Sequence, residues 1–185
     1  MSCNQYHQQN IISHVIENTI NKPCKQYEGL NDILLKNITY HFLAYSYKLK
    51  ILQMRVGLLW EKILCLFGFQ KISGADVVNH DRQIVMELKN AFNTDNASSR
   101  KENIRKLIQC KIDNNWNDYM LVYGIINDGS YNNMGKCEVQ YFNGIPILFM
   151  SGNYLFHFVF GNDYQNLLNY IIYVFNFHVH KFLNS

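Results

Sequence analysis

Three ionisable residues stand where a hairpin would bring them together: Asp76, Glu87 and Lys89. The segment Ile84-Val85-Met86-Glu87-Leu88-Lys89 is apolar apart from Glu87 and Lys89. Strand alternation puts these two on one face with Val85, while Ile84, Met86 and Leu88 point to the other. Charges on a covered strand are unfavourable unless they are paired or bound to a metal. Ala75-Asp76-Val77-Val78-Asn79 reads as the partner strand and His80-Asp81-Arg82-Gln83 as the polar turn. Two carboxylates and one ammonium then converge at one edge of a sheet. That set suits metal-dependent phosphodiester hydrolysis. Two carboxylates can hold a hard divalent cation, and Mg²⁺ prefers oxygen ligands and keeps several waters. Such a cation polarises a phosphoryl oxygen and lowers the pKa of a water. A lysine two residues after the glutamate can orient that water and offset the charge building on phosphorus.

The elements that must position these residues follow from periodicity. Ile11, Ile12, Val15, Ile16 and Ile20 form a helical stripe, and after a break around Pro23 to Gly29 the residues Ile33, Leu34, Ile38 and Phe42 repeat it. A third helix is expected from about Lys48 to Phe67, ended by Gly68 as a C-cap glycine. From Lys71 the period changes to that of strands. Beyond the hairpin come a polar loop (Asn90 to Ser98), a basic helix from about Ser99 to Ile112 and a strand at Tyr119–Ile126 apolar enough to be covered on both faces. Strands near Cys137–Phe142 and Ile145–Met150 follow. Ser151 is placed to cap a helix ending near Gly161, and an aromatic-rich helix begins around Asp163. The fold class expected is α/β (α+β), a mixed central sheet flanked by helices. Without a Gly/Ser/Pro-rich linker the chain reads as one domain: a helical part over 1–68, a catalytic sheet over 71–150 that includes the basic helix 99–112, and C-terminal helices over 151–185.

Glu-x-Lys occurs by chance about once in a chain of this size; its weight comes from the apolar strand around it and the aspartate strand before it. An aspartate followed after a turn by Glu-x-Lys resembles the PD-(D/E)xK nucleases, here as Asp76…Glu87-Leu88-Lys89 with Ala75 in place of the usual proline. The run Lys89-Asn90-Ala91-Phe92-Asn93-Thr94-Asp95-Asn96-Ala97-Ser98-Ser99-Arg100-Lys101 resembles type II restriction endonucleases, in particular the SinI and AvaII kind that cleaves GGWCC and GGNCC palindromes. The likeness is strongest over Gly74 to Lys106 and weaker near Ile147–Gly161. It implies a restriction-endonuclease-like fold and a Mg²⁺-dependent type II enzyme that hydrolyses double-stranded DNA at a short specific site, leaving 5′-phosphate and 3′-hydroxyl ends. It further implies a homodimer on a palindrome and a cognate DNA methyltransferase to protect host DNA. For the residues it implies a metal set of Asp76, Glu87 and Leu88, with Lys89 as water-orienting base or electrostatic partner. Glu61, on the preceding helix, stands where many of these nucleases place an additional acidic residue near the metal.

Candidate DNA contacts lie just downstream. Asn90, Asn93, Thr94, Asn96, Ser98 and Ser99 offer amides that suit adenine edges and hydroxyls that reach phosphates; the plainer reading is a polar loop with an N-cap serine. Arg100, Lys101, Arg105, Lys106 and Lys111 oppose only Glu102 on the next helix. Arg100, Lys101 and Arg105 are therefore candidates for tracking phosphates, although such a run is usually a solvated helix face.

Composition narrows the field. The 185 residues are 48% hydrophobic and 17% charged, with 24 Asn and 13 Tyr, which excludes a disordered chain. A net charge of +3 is too mild to name a polyanionic partner by itself. The five cysteines form no Cys-x-x-Cys, so reduced thiols are expected. The N-terminal residues lack a basic and then apolar signal pattern, and Tyr164 to Leu183 is interrupted by Asn, His and Lys. An intracellular, cytoplasmic protein without a membrane segment is expected. His178-Val179-His180 could bind zinc on a strand but has no third ligand nearby, and the stripe Tyr154, Phe156, Phe158, Phe160 reads as core or dimer face. Three rivals remain: a resolvase or repair nuclease of the same fold, a non-catalytic DNA-binding module, and an interaction protein in which Asp76, Glu87 and Lys89 form a salt bridge.

Overall fold

The computed structural model describes residues 3–22, 40–91, 97–129 and 133–184. The chain divides into two compact units, residues 1–59 with 168–185, and residues 60–167. The element order is α1 (Cys3–Ile20), α2 (Tyr40–Cys65), β1 (Gln70–Lys71), β2 (Val77–Asn79), β3 (Ile84–Ala91), α3 (Ala97–Asp113), β4 (Met120–Asn127), β5 (Cys137–Phe142), β6 (Ile145–Ser151), α4 (Gly152–Phe160) and α5 (Tyr164–Asn184). No helix among the described residues is long and apolar enough to cross a membrane. The helical pattern through Ile33, Leu34 and Ile38 lies outside the described residues, as do Asn93, Thr94 and Asn96.

In the first unit the α1 stripe is buried as its spacing requires: Ile12, Ile16 and Ile20 are fully covered. Arg55 of α2 is buried too, and its guanidinium donates to the main-chain oxygens of Ile20 and Lys22 while lying 4.7 Å over the Phe182 ring. These bonds satisfy carbonyls that the C-terminal turn of α1 leaves without helical partners. From α5, the Tyr170 hydroxyl donates to the Gln9 oxygen at 2.9 Å, and His178 shares a hydrogen bond with Asn21 at 2.9 Å. His178 and His180 lie on α5, the aromatic-rich helix expected from around Asp163, and not on a strand that could present them as a zinc pair. Residues two apart on a helix differ by about 200°, so the two imidazoles face apart and do not share a metal. His178 is buried against Asn21, and His180 bonds Asn184.

The second unit is built on a six-stranded mixed sheet in the order β1-β2-β3-β4-β6-β5. β1, β2 and β3 run antiparallel, β3, β4 and β6 run parallel, and β5 returns antiparallel to β6. The step from β3 to β4 needs a crossover because parallel neighbours do not join by a tight turn, and α3 supplies it. Six consecutive β4 residues, Leu121 to Ile126, are buried, as a strand covered on both faces must be. On one face Val85, Leu121, Tyr123 and Ile147 pack with Ile104 and Leu107 of α3. On the other, Met86, Leu88 and Ile126 meet Leu155, Phe156 and Val159 of α4. Gly124 permits that second contact, since a Cβ there would lie 3.1 Å from the Leu155 side chain. The β5–β6 turn is Asn143-Gly144 at φ 52° and 80°, the paired positive angles that a two-residue hairpin requires.

The expected strand at 75–79 begins two residues late, at Val77, which leaves Asp76 in a bend. β1 has no counterpart in the sequence reading. α2 begins at Tyr40 rather than near Lys48 and ends before Gly68, whose φ of +82° is the conformation a C-terminal glycine supplies. α3 starts at Ala97, so Ser98 and Ser99 both lie in its first turn and neither is the expected N-cap serine. Ser151 does hold the N-cap position of α4 but makes no side-chain cap. Its Oγ is occupied elsewhere, accepting the Lys136 N–H at 2.9 Å.

Candidate active site

β3 carries the unusual residues. Its register with β4 runs Val85↔Leu121, Glu87↔Tyr123 and Lys89↔Ile125, so Glu87 and Lys89 rise from the face that α3 covers, with Val85 below them. Glu87 is only 8% exposed. A carboxylate so placed requires a partner, and the Lys89 ammonium donates to its Oε1 at 2.6 Å, with both side chains half-buried or better. Asp76 approaches from the neighbouring strand. Val77 pairs with Met86, and one residue earlier the Asp76 Oδ2 accepts the Leu88 main-chain N–H at 2.6 Å. The bend that shortens β2 thus turns the aspartate onto the β3 backbone between Glu87 and Lys89.

Glu61 belongs to the last turns of α2, and its carboxylate is ion-paired with Lys71 on β1. The pair is electrostatically felt at Asp76. Burial pushes the Asp76 carboxyl above its ordinary range; the Leu88 N–H and the Lys89 and Lys71 ammoniums pull it back, and the Glu61 carboxylate adds to the rise. Lys71 in turn is held in its charged form more firmly by the hydrogen bond to Glu61. Lys71 was not legible in the sequence, because a two-residue strand has no periodicity to read. Five charged side chains therefore gather on the β1–β2–β3 edge: Glu61, Lys71, Asp76, Glu87 and Lys89.

The donor set is one of oxygens, with no thiol or imidazole in it, and burial leaves Asp76 an anion that its surroundings only partly compensate. Both features fit a hard cation. Among the described residues no group of three or more His, Cys, Asp or Glu side chains could hold a metal. A Mg²⁺ ion needs no such group, since it takes one or two carboxylates and fills its remaining positions with water and phosphate oxygens. Leu88 has only its main-chain carbonyl to offer.

The downstream candidates divide. Asn90 is tied to the end of β4, where the Asn127 amide donates to both its main-chain and side-chain oxygens at 2.9 and 3.3 Å. Ser98 is exposed and Ser99 half-buried. Lys101 is exposed, and Arg105 is exposed and ion-paired with Glu102 one turn away. Arg100 alone turns inward, lying 4.6 Å from the Phe149 ring centroid and 5.8 Å from that of Tyr123. The thiol of Cys110 is buried beneath α3 and donates to the Ser73 oxygen, and burial pushes its pKa up, which suits packing rather than nucleophilic chemistry.

A six-stranded mixed sheet flanked by helices, with a parallel centre and an antiparallel hairpin at the acidic edge, is the restriction-endonuclease-like architecture. The chain belongs to the Eco47II restriction endonuclease family, whose model matches residues 48–173. It is thus a member of a nuclease family that acts on DNA, and the matched stretch contains Glu61, Asp76, Glu87, Lys89 and Arg100. No curated protein and no solved structure matched the chain.

Proposed function

We propose that this chain is a Mg²⁺-dependent type II restriction endonuclease that cuts double-stranded DNA at a short specific site, using Asp76, Glu87 and Lys89. The observation that carries this reading is the meeting of the Asp76 carboxylate with the β3 backbone between Glu87 and Lys89, inside the segment the family model matches. Asp76 and Glu87 would hold the cation, with the Leu88 carbonyl as the third member of the set. When bound, Mg²⁺ supplies Lewis acidity at the phosphodiester. Lys89 keeps its ammonium beside the acidic pair, where it can orient the attacking water and offset negative charge on the pentacovalent phosphorus. Glu61 holds Lys71 in its charged form at the rim and adds negative potential toward Asp76, which favours cation uptake. Ser98, Ser99, Lys101 and Arg105 contribute backbone contacts along the start of α3, together with Asn90 and the Asn93, Thr94, Asn96 loop.

A two-strand cut at a palindrome needs two such sites, so a homodimer is the working form, acting in the cytoplasm beside a cognate DNA methyltransferase. The resemblance of the Lys89–Lys101 run to the SinI and AvaII kind makes GGWCC and GGNCC the first sequences to try. The test is incubation of labelled duplexes bearing these sites with the protein and Mg²⁺, followed by end mapping. Cuts at one fixed position with 5′-phosphate ends support the reading. Cuts confined to branched or damaged DNA would replace it with a resolvase or repair activity.

A further inference from the structure

Beside the proposed catalytic edge, on the same face of the sheet, lies a shallow cavity of about 90 Å³ with an apolar floor that includes Ile125, Phe149 and Met150 and with Arg100, Lys136 and Ser151 among its polar lining. Its place is fixed by strand register. Glu87, Tyr123 and Phe149 form one row across β3, β4 and β6, and Lys89, Ile125 and Ser151 form the next. With neighbouring strands about 4.8 Å apart, the cavity floor lies roughly 10 Å from the Glu87–Lys89 pair.

Arg100 is the unusual member. Its guanidinium carbon lies 4.6 Å from the Phe149 ring centroid and 5.8 Å from that of Tyr123, and among the described residues it has no carboxylate or carbonyl partner. A half-buried guanidinium without such partners among the described residues offers its fork of N–H groups to an oxyanion. Its position makes this stronger, because it sits in the first turn of a 17-residue helix with no acidic residue there. A cation at the positive end of a helix is electrostatically disfavoured, yet Arg100 stands there, and Lys136 brings a second cation to the same cavity. The Lys136 main chain is anchored by reciprocal bonds with Ser151, N–H to Oγ and O to the Ser151 N–H, both at 2.9 Å. Gly135 makes that approach possible, for a Cβ there would stand 1.9 Å from the Ser151 oxygen. The one acid at the cavity, Glu138, is engaged by the Gln140 amide at 2.5 Å, and the two cations outnumber it.

We infer that Arg100 and Lys136, with Ser151, form a seat for a second backbone phosphate of the bound DNA, separate from the phosphate being cut. The inference rests on the nuclease reading for its choice of polyanion. Roughly 10 Å is the axial rise of about three base pairs at 3.4 Å each, so the seat would grip the duplex within the span of a short recognition site and set its register against Asp76 and Glu87.

The experiment is equilibrium binding of a fluorescent duplex carrying the GGWCC and GGNCC palindromes, in EDTA to prevent cleavage, at a series of salt concentrations. Each lost phosphate contact should flatten the plot of log K against log salt by about 0.9. Arg100→Gln and Lys136→Gln should therefore each lose about three- to fourfold less affinity than the wild type between 50 and 200 mM salt, the double variant should show both effects, and Arg100→Lys should keep the wild-type slope. Lys136 is exposed, so its variant keeps the test decisive if Arg100→Gln misfolds. Unchanged slopes in folded variants overturn the seat. A weaker affinity at wild-type slope also overturns it, assigning Arg100 to a base edge. Cleavage by the wild type in Mg²⁺ is scored separately: slope changes without cleavage retain the seat and remove the nuclease reading, and cleavage without slope changes does the reverse.

Discussion

Replacing Asp76 by asparagine should stabilise the metal-free protein and abolish its response to Mg²⁺. The substitution keeps the side-chain volume and an oxygen to accept the Leu88 N–H, now 2.6 Å from Oδ2. What it removes is a charge that burial disfavours more than the Leu88 N–H, Lys89 and Lys71 favour it, as the upward shift of the Asp76 carboxyl records. A carboxyl whose folded pKa lies above its unfolded value, about 3.9, favours folding when protonated and loses that contribution as pH rises through the folded value. Above that folded value both states are ionised and the folded chain carries the full burden, which the neutral amide relieves. Each kcal/mol moves the melting temperature of a chain this size by about 2–4 °C. In Mg²⁺ the order reverses. A ligand at a hundred times its Kd adds about 2.7 kcal/mol to the wild type, or roughly 5–10 °C, and little to the variant. Calorimetric melts at pH 7 with and without Mg²⁺ decide the matter. A variant less stable than the wild type in EDTA, together with a wild type indifferent to Mg²⁺, would make Asp76 a structural ion-pair partner.

Other consequences follow from particular contacts. Mg²⁺ affinity, measured by calorimetric titration, should fall as pH drops toward the raised Asp76 value, at a higher pH than an ordinary carboxylate would impose; equal affinities at pH 5 and pH 7.5 would contradict this. Lys89→Ala removes the charge proposed to face the reacting phosphate and should lower single-turnover cleavage by about 10²–10³-fold while duplex affinity stays within a few fold. Gly135→Ala forces a positive φ of 81° and a Cβ into the Ser151 oxygen, and should destabilise by more than the roughly 1–2 kcal/mol of the backbone conformation alone, seen as a lower denaturant midpoint. Leu107 is fully buried between α3 and the sheet, so Leu107→Ala should lose about 2–5 kcal/mol by the same measure.

The sheet and the gathering of charges at its edge were legible where local pattern and tertiary need agree. The alternation of Ile84–Lys89 sets Glu87 and Lys89 on the α3 face because the strand has helices on both sides and no freedom to slip by one residue. Asn143-Gly144 and Gly68 stand at turns whose positive φ angles such residues supply. Where the sequence misled, a local signal competed with packing. Ala75 and Asp76 look like strand, but the aspartate bonds the Leu88 N–H and bends the chain instead. Lys71 and Lys136 gave no local sign at all. Their roles arise only when register brings β1 beside β2 and seats the residue before β5 against Ser151, and neither pairing is written in nearby residues.

Asp76, Glu87 and Lys89 are proposed to make this chain a metal-dependent, sequence-specific nuclease. Digestion of unmethylated plasmid by the purified protein in Mg²⁺, beside Glu87→Ala, tests it most directly. Discrete fragments from the wild type, absent with the variant, are predicted; intact plasmid with folded wild-type protein in both Mg²⁺ and Mn²⁺, across several DNA sequences, would contradict it and leave a DNA-binding module of the same fold.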